Sequence, residues 1–264
     1  MIQTTLDWHD AGANRARFDG LIAGINEPTD LIVLPEMFTT GYTMDTQKHA
    51  EQMDGDTIAW MKLVARDFGT TICGSLIIED QGHYYNRLIW MPPDAVPGTY
   101  DKRHLFRMAD ENQHFTPGRE RAIFEINGWR ICPLVCYDLR FPVFSRGIDA
   151  FDLLLYVACW PQTRRSAWHT LLPARAVENL CYSLGVNRIG TDGRGVDYAG
   201  DSMLSDYLGN TLVDCGNEEK IITTRLDGAA LQRYRKKFPA HLDADRYKLD
   251  NYLPNHWGRT YITH

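Results

Sequence analysis

Cys132-Pro-Leu-Val-Cys136-Tyr-Asp138-Leu-Arg140-Phe-Pro142 starts as a short apolar run and breaks at a thiol. It reads as the end of a buried strand that turns into a helix, with Cys136 at the corner. Three other apolar runs end in residues that a structural core does not need. In Leu31-Ile-Val-Leu-Pro35-Glu36-Met-Phe38, proline ends the strand and a carboxylate follows at the rim. In Thr99-Tyr-Asp101-Lys102-Arg-His-Leu-Phe106, a lysine stands at a strand end. Leu153-Leu-Leu-Tyr-Val-Ala-Cys-Trp160-Pro161 ends on an aromatic. Sites in layered α/β folds gather where strands give way to loops, so four such ends predict a pocket.

Outward from these runs, strand-like and helix-like stretches alternate. Apolar spacing predicts helices over 13–25, 57–68, 168–179 and 229–238. Strands are predicted over 30–34, 71–78, 85–91, 98–101, 151–159, 182–187, 200–204, 211–213 and 221–225. A Pro-Pro-Asp turn joins 85–91 to 98–101, and Asn127-Gly128 turns a hairpin of 122–126 and 129–136. The alternation implies an α/β core whose sheets carry helices on their outer faces. The polar, aromatic tail from 239 is expected to pack over a surface.

The bulk numbers narrow the class of function. The chain has 264 residues, 44% hydrophobic and 23% charged, enough for one large core. A net charge of −6 and the lack of Lys/Arg blocks argue against a nucleic-acid surface, yet leave room for a small anionic substrate held by one arginine. No basic, then apolar, leader opens the sequence, and the apolar runs fall well short of the ~20 residues that span a bilayer. Six cysteines are too few for a disulfide scaffold, and four of them (Cys73, Cys132, Cys159, Cys181) lie in or beside apolar segments as reduced core thiols do. A cytoplasmic setting without membrane contact is expected. No C-x-x-C, no H-E-x-x-H and no histidine pair at helical spacing occurs, so neither metal nor other cofactor is expected.

Each rim residue taken singly has a bland reading. Cys136 would be an inert core thiol, Glu36 a cap or a partner for an arginine, and Lys102 a solvated loop charge. Their flanking residues argue otherwise. The segments Leu34-Pro-Glu36-Met-Phe38, Tyr100-Asp-Lys102-Arg-His-Leu-Phe106 and Val135-Cys136-Tyr-Asp138-Leu-Arg140-Phe-Pro resemble the three signature regions of the nitrilase (carbon–nitrogen hydrolase) superfamily, in the same order. Phe115-Thr-Pro-Gly118, Ala158-Cys-Trp160-Pro161, Arg175-Ala-Val-Glu178-Asn179, Asn187-Arg188 and Gly200-Asp201-Ser202 extend the likeness over almost the whole chain. The wording around Lys102 and Cys136 is most similar to the bacterial ω-amidase branch, which acts on 2-oxoglutaramate and related ω-amides. One departure is that Met1 falls inside the expected first strand, where relatives carry several more residues.

The resemblance implies a four-layer α-β-β-α sandwich forming one domain over 1–264, paired through an outer helical layer into a homodimer or a larger homo-oligomer. It implies Cys136 as nucleophile, Glu36 as general base, and Lys102 with the backbone N–H of Tyr137 as donors to the oxyanion. A second glutamate before a Pro-Gly turn is implied to orient Lys102 and the substrate. Glu111 fits that place better than Glu120, which lies beyond the turn. A small amide is the expected partner. For an ω-amide, Arg164 is the expected carboxylate clamp, with Phe38, Tyr42 and Trp160 as pocket walls, although a loop arginine and packing aromatics are the ordinary alternatives. Glu178 and Asn179 are expected to satisfy buried backbone, and His104 to be structural. Three rivals remain open: a true nitrilase or N-carbamoyl amide hydrolase with the same triad, a retired binding or scaffold relative, and a redox-sensing role for Cys136.

Overall fold

The computed structural model describes residues 1–147 and 150–245. Its elements run β1 (Ile2–Gln3), α1 (Ala11–Ala23), β2 (Leu31–Val33), α2 (Thr46–His49), α3 (Asp56–Phe68), β3 (Thr71–Asp80), β4 (His83–Met91) and β5 (Gly98–Asp101). Next come α4 (Glu111–His114), β6 (Phe124–Ile126), β7 (Trp129–Val135), α5 (Pro142–Ser145), β8 (Leu153–Ala158), α6 (Arg165–Asn179) and β9 (Tyr182–Asn187). The described part closes with β10 (Ile189–Thr191), β11 (Asp197–Ala199), β12 (Met203–Ser205), β13 (Thr211–Asp214), β14 (Lys220–Ile221) and α7 (Gly228–Lys237).

Two sheets carry the core. One has the order β2-β3-β4-β5, with β2 and β3 parallel; the other has the order β13-β12-β9-β8-β7-β6, with β7, β8 and β9 parallel. Side chains alternate between the faces of a strand, so β4 shows what lies on each side. Leu88 and Trp90 pack in one cluster with Val135 and Leu155 of the second sheet. Ile89 and Met91 pack instead with Phe18 and Ile22 of α1 and with Met61 and Val64 of α3. On the far face of the second sheet lie Trp168 and Leu172 of α6. There α6 comes so close to β9 that a Cβ on Gly185 would stand 2.5 Å from both side chains. These are the four layers expected from the resemblance, helices outside and two sheets face to face. β8 is buried along its whole length, as a central strand covered on both faces must be.

The differences from the predicted elements are local. The run 200–204 becomes a strand only from Met203, because Gly200 (φ +75°) and Asp201 (φ +56°) are left-handed and break the ladder. Of the run 221–225 only Ile221 lies in a strand, β14, which starts at Lys220 and is short because β1 offers two residues. Helix α6 begins three residues before 168 and carries Pro173 inside it. The hairpin of β10 and β11 was not predicted. Most of the tail from 239 lies outside the described residues. Among the described residues, no helix is long and apolar enough to cross a membrane.

Candidate active site

Three chain ends bring the chemistry to one place. Beyond β2, Leu34 N–H still donates to Cys73 O (2.8 Å), but Pro35 has no N–H and the ladder stops. Met37 then takes a left-handed turn (φ +43°), fixed by its N–H on Ser75 Oγ (2.9 Å) and by Phe38 N–H on Ser75 O (3.2 Å). Glu36 is thereby held at the strand end, fully buried. Lys102 follows β5, its N–H on Asn86 O (2.9 Å). Gly118 N–H donates to Lys102 O (3.0 Å), and a Cβ at 118 would sit 2.1 Å from Asp101 O, so only glycine lets this segment cross the strand end.

Cys136 follows β7 with φ +44°, opening a 3-10 turn over Cys136–Arg140. A left-handed, non-glycine residue costs about 1–3 kcal/mol and persists only where its surroundings impose it. Asp138, wholly buried, supplies much of that constraint. Its Oδ2 accepts from Val135 N–H (3.0 Å) and Tyr100 OH (2.7 Å), while Oδ1 accepts from His104 N–H (3.0 Å) and contacts His104 Nδ1 (2.7 Å). Arg175 of α6 closes the other end of the turn by donating to Leu139 O from Nε (3.1 Å) and Nη2 (2.7 Å).

Within this frame the side chains converge. Lys102 Nζ donates to Glu36 Oε1 (2.9 Å) and lies 2.9 Å from both Oε1 and Oε2 of Glu111. Asn86 Nδ2 spans the two carboxylates, 2.8 Å from Glu36 Oε1 and 3.3 Å from Glu111 Oε1. Glu36 Oε2 accepts from Cys159 N–H (2.7 Å), and the charge of the same carboxylate bears on the Cys136 thiol. Glu111 Oε2 also accepts from Phe106 N–H (2.6 Å) and Tyr42 OH (3.0 Å). An ammonium has three N–H donors, and here all its contacts are carboxylate oxygens. Because two of the three contacts go to one carboxylate, one of them can be given up to a substrate oxygen while Lys102 stays bound to both Glu36 and Glu111.

Electrostatics decide the resting state. Burial alone would lower Lys102, but Glu111 and then Glu36 outweigh it and hold the ammonium well above its ordinary value. Burial, with the Glu36 charge added, pushes the Cys136 thiol well up despite the counter-pull of Lys102. Burial and the Glu111 charge likewise raise Tyr42, which stays a neutral donor. Cys136 therefore rests as a protonated thiol beside a carboxylate.

The other expected residues divide. Tyr137 is the second residue of the 3-10 turn, where a backbone N–H lacks a partner within the helix. Trp160 is buried, its N–H held by Asn187 Oδ1 (2.8 Å), with Arg140 over its ring at 5.1 Å. Arg164 lies 5.1 Å over the Phe106 ring, which packs at 5.0 Å against Tyr137 beside Cys136. Phe38 takes the packing alternative: its ring packs on Phe18 (5.5 Å) and Trp60 (5.8 Å) in the outer helical layer, after the left-handed Met37. Glu120 is exposed. His104 stacks on Phe141 at 3.8 Å and bonds to Asp138, and Asn179 Oδ1 accepts from Gly147 N–H (2.8 Å), both structural placements. Glu178 pairs with Arg175 (3.1 Å).

Sequence reasoning missed Asn86, Asp138 and the Cys159 N–H. The first two left a signal: Asn86 is a polar residue in a run of strand residues, and Asp138 stands between a buried strand and Leu139. A buried polar group in such a place needs partners. A backbone N–H leaves none. A separate cavity of about 440 Å³ lies at the opposite ends of the parallel strands, lined by Leu31, Ile131 and Leu153, and holds none of these groups. Metal-ligating side chains gather elsewhere, at His9, Asp45 and His49.

Similarity to known proteins agrees with this geometry. The sequence pattern of the family described as carbon-nitrogen hydrolase matches residues 1–236. The Escherichia coli (strain K12) protein named Omega-amidase YafV is 44% identical over 250 residues, covering 94% of this chain and 97% of its own length. The 2-oxoglutaramate amidase of Bacillus subtilis (strain 168) is 30% identical over 92% of this chain and 95% of its own. The crystal structure of XC1258 from Xanthomonas campestris, a CN-hydrolase superfamily protein with an arsenic adduct in the active site, superposes with a TM-score of 0.92. It is 44% identical and covers 95% of this chain and 97% of its own. The chain belongs to the carbon–nitrogen hydrolase family, the nitrilase superfamily.

Proposed function

We propose that the protein is an ω-amidase, a hydrolase that cleaves the C–N bond of small ω-amides of the 2-oxoglutaramate or succinamate kind to carboxylate and ammonia. One observation carries the reading: the charge of a buried Glu36 bears on the buried Cys136 thiol, and its carboxylate shares the Lys102 ammonium with Glu111. The names of the similar amidases support the substrate class.

As Cys136 Sγ attacks the amide carbon, its proton passes to Glu36. The oxygen's developing charge is met by Lys102 Nζ and the Tyr137 N–H, and one such donor is worth about 3–4 kcal/mol of barrier. Collapse breaks the C–N bond, and the nitrogen takes the proton from Glu36 and leaves as ammonia. A thioester remains. Glu36 then takes a proton from water as its oxygen attacks the thioester carbon, the C–S bond breaks, and the sulfur regains that proton. Glu111 and Tyr42 hold Lys102 in place throughout. Arg164, beside the Phe106–Tyr137 contact, is the proposed clamp for the remote carboxylate, and Trp160 a wall of the pocket. The same reading takes residues 1–264 as one catalytic domain, acting in the cytoplasm as a homodimer paired through an outer helical layer. The free state of all six cysteines suits a reducing compartment.

Ammonia release from succinamate and 2-oxoglutaramate, set against nitriles and ureido acids, tests the assignment. Release from nitriles or ureido acids alone would transfer it to the rival enzymes, and release from nothing would favour a retired scaffold. Cys136→Ala should abolish turnover and keep the fold. Arg164→Ala should raise KM for carboxylate-bearing amides more than for neutral ones; equal effects would remove the clamp.

A further inference from the structure

His9 and His49 stand forty positions apart in sequence and meet in space. His9 lies in the segment between β1 and α1, left-handed at φ +59°, with its N–H on Thr40 O (3.0 Å). Its ring stacks on Trp8 (4.2 Å between centroids) and faces the ring of His49 at 3.9 Å. His49 ends α2, and Asp45 precedes that turn, so the two are spaced i, i+4 and approach to 3.8 Å. One ring nitrogen from each histidine and a carboxylate oxygen of Asp45 all lie within 4.8 Å of one another.

The second observation concerns what these nitrogens lack. Nε2 of His9 and Nε2 of His49 are both shut off from solvent and neither makes a hydrogen bond. The His49 side chain is only 10% exposed, whereas that of Asp45 is 50% exposed, so the cluster is closed on the imidazole side and open on the carboxylate side. Buried ring nitrogens ordinarily find a partner. Two of them in a cluster that also holds a carboxylate oxygen are placed as ligands are, with room for water on the open side.

We infer that His9, His49 and Asp45 form a binding site for a transition-metal dication of the Zn²⁺ type. Two imidazole nitrogens and one carboxylate oxygen suit that class, and water completes the coordination. The site staples the segment after β1 to the 37–49 loop, whose Tyr42 donates to Glu111. Trp8 already presses on that loop, since a Cβ at Gly41 would lie 3.0 Å from its ring. The ion is structural, stands outside the catalytic cluster, and is independent of which amide the enzyme cleaves.

Cobalt is the probe, because Co²⁺ held by nitrogen and oxygen ligands absorbs visibly and needs no turnover to be read. The full chain carrying Cys136→Ala, which removes the catalytic thiol as a competing ligand, is titrated with CoCl₂ after chelator treatment. The expected result is one Co²⁺ per chain, bleached by equimolar Zn²⁺. Adding His9→Gln or His49→Gln should abolish the signal, and Asp45→Asn, on the exposed side, should weaken binding about tenfold or more without touching the core. Zn²⁺ should raise Tm in the parent and leave it unmoved in His49→Gln. Failure to bind Co²⁺, equal binding in the histidine variants, or a sulfur-to-cobalt absorption band would each overturn the site. Should the histidine variants not fold, an Asp45→Asn affinity equal to the parent's would overturn it alone.

Discussion

Replacing Glu111 with glutamine tests the charge arrangement around Lys102 at nearly constant volume. Oε1 accepts from Lys102 and Asn86, and Oε2 accepts from Lys102, Tyr42 OH and Phe106 N–H. Whichever way the new amide is oriented, its NH₂ faces Lys102 and a second N–H donor. One hydrogen bond to a charged group is worth about 1.5–3 kcal/mol, and stripping a buried charge of its partner costs about 3–5 kcal/mol. Lys102 keeps Glu36, so the lower end applies, about 3–4 kcal/mol. Expressed where Lys102 must meet the oxyanion, this is a fall of roughly 10²–10³ in kcat. Steady-state ammonia release from succinamate measures it, with KM expected within about threefold of the parent value. The pH profile gives a second reading. Glu111 is the strongest of the charges that hold the Lys102 ammonium up, so the alkaline limb of kcat should move to lower pH in the variant. A kcat within threefold of the parent, or a loss carried wholly by KM, would refute the reasoning. Glu120→Gln, at an exposed position, should change neither constant.

Two further outcomes follow from the same geometry. Because the Cys136 thiol is pushed well up, alkylation by iodoacetamide should quicken steadily with pH through 9; a plateau below pH 8 would indicate a resting thiolate instead. Asp138→Asn sets an amide NH₂ against either the Val135 or the His104 N–H, so it should cost about 1.5–3 kcal/mol of unfolding free energy in urea and lower kcat, an effect absent if the turn at Cys136 holds itself.

Much of this was legible in the sequence for identifiable reasons. Pro35 ends a ladder and exposes the next residue, so Glu36 announces itself; Cys136 lies where an apolar run stops. For Phe38 the sequence left pocket wall and packing both open, and the left-handed Met37, which sets the direction of the chain just before it, carries no glycine to give warning. The strand expected at 200–204 lost its first residues to Asp201, another left-handed position not occupied by glycine. Partners supplied by backbone, such as the Cys159 N–H on Glu36, leave no trace in residue type. The approach of His9 to His49 depends on how two loops fold together, and helical spacing is blind to it.

Glu36 and Lys102 are carried by one sheet, while Cys136 and Trp160 are carried by the other. In the proposed mechanism the reacting atoms thus meet across a seam packed by residues such as Leu88, Trp90, Val135 and Leu155. Sliding one sheet over its fellow by a fraction of an ångström would misalign Glu36 and Cys136 while leaving each strand undisturbed. Turnover in such a molecule can drift through repacking of its midline, long before the pocket itself is altered.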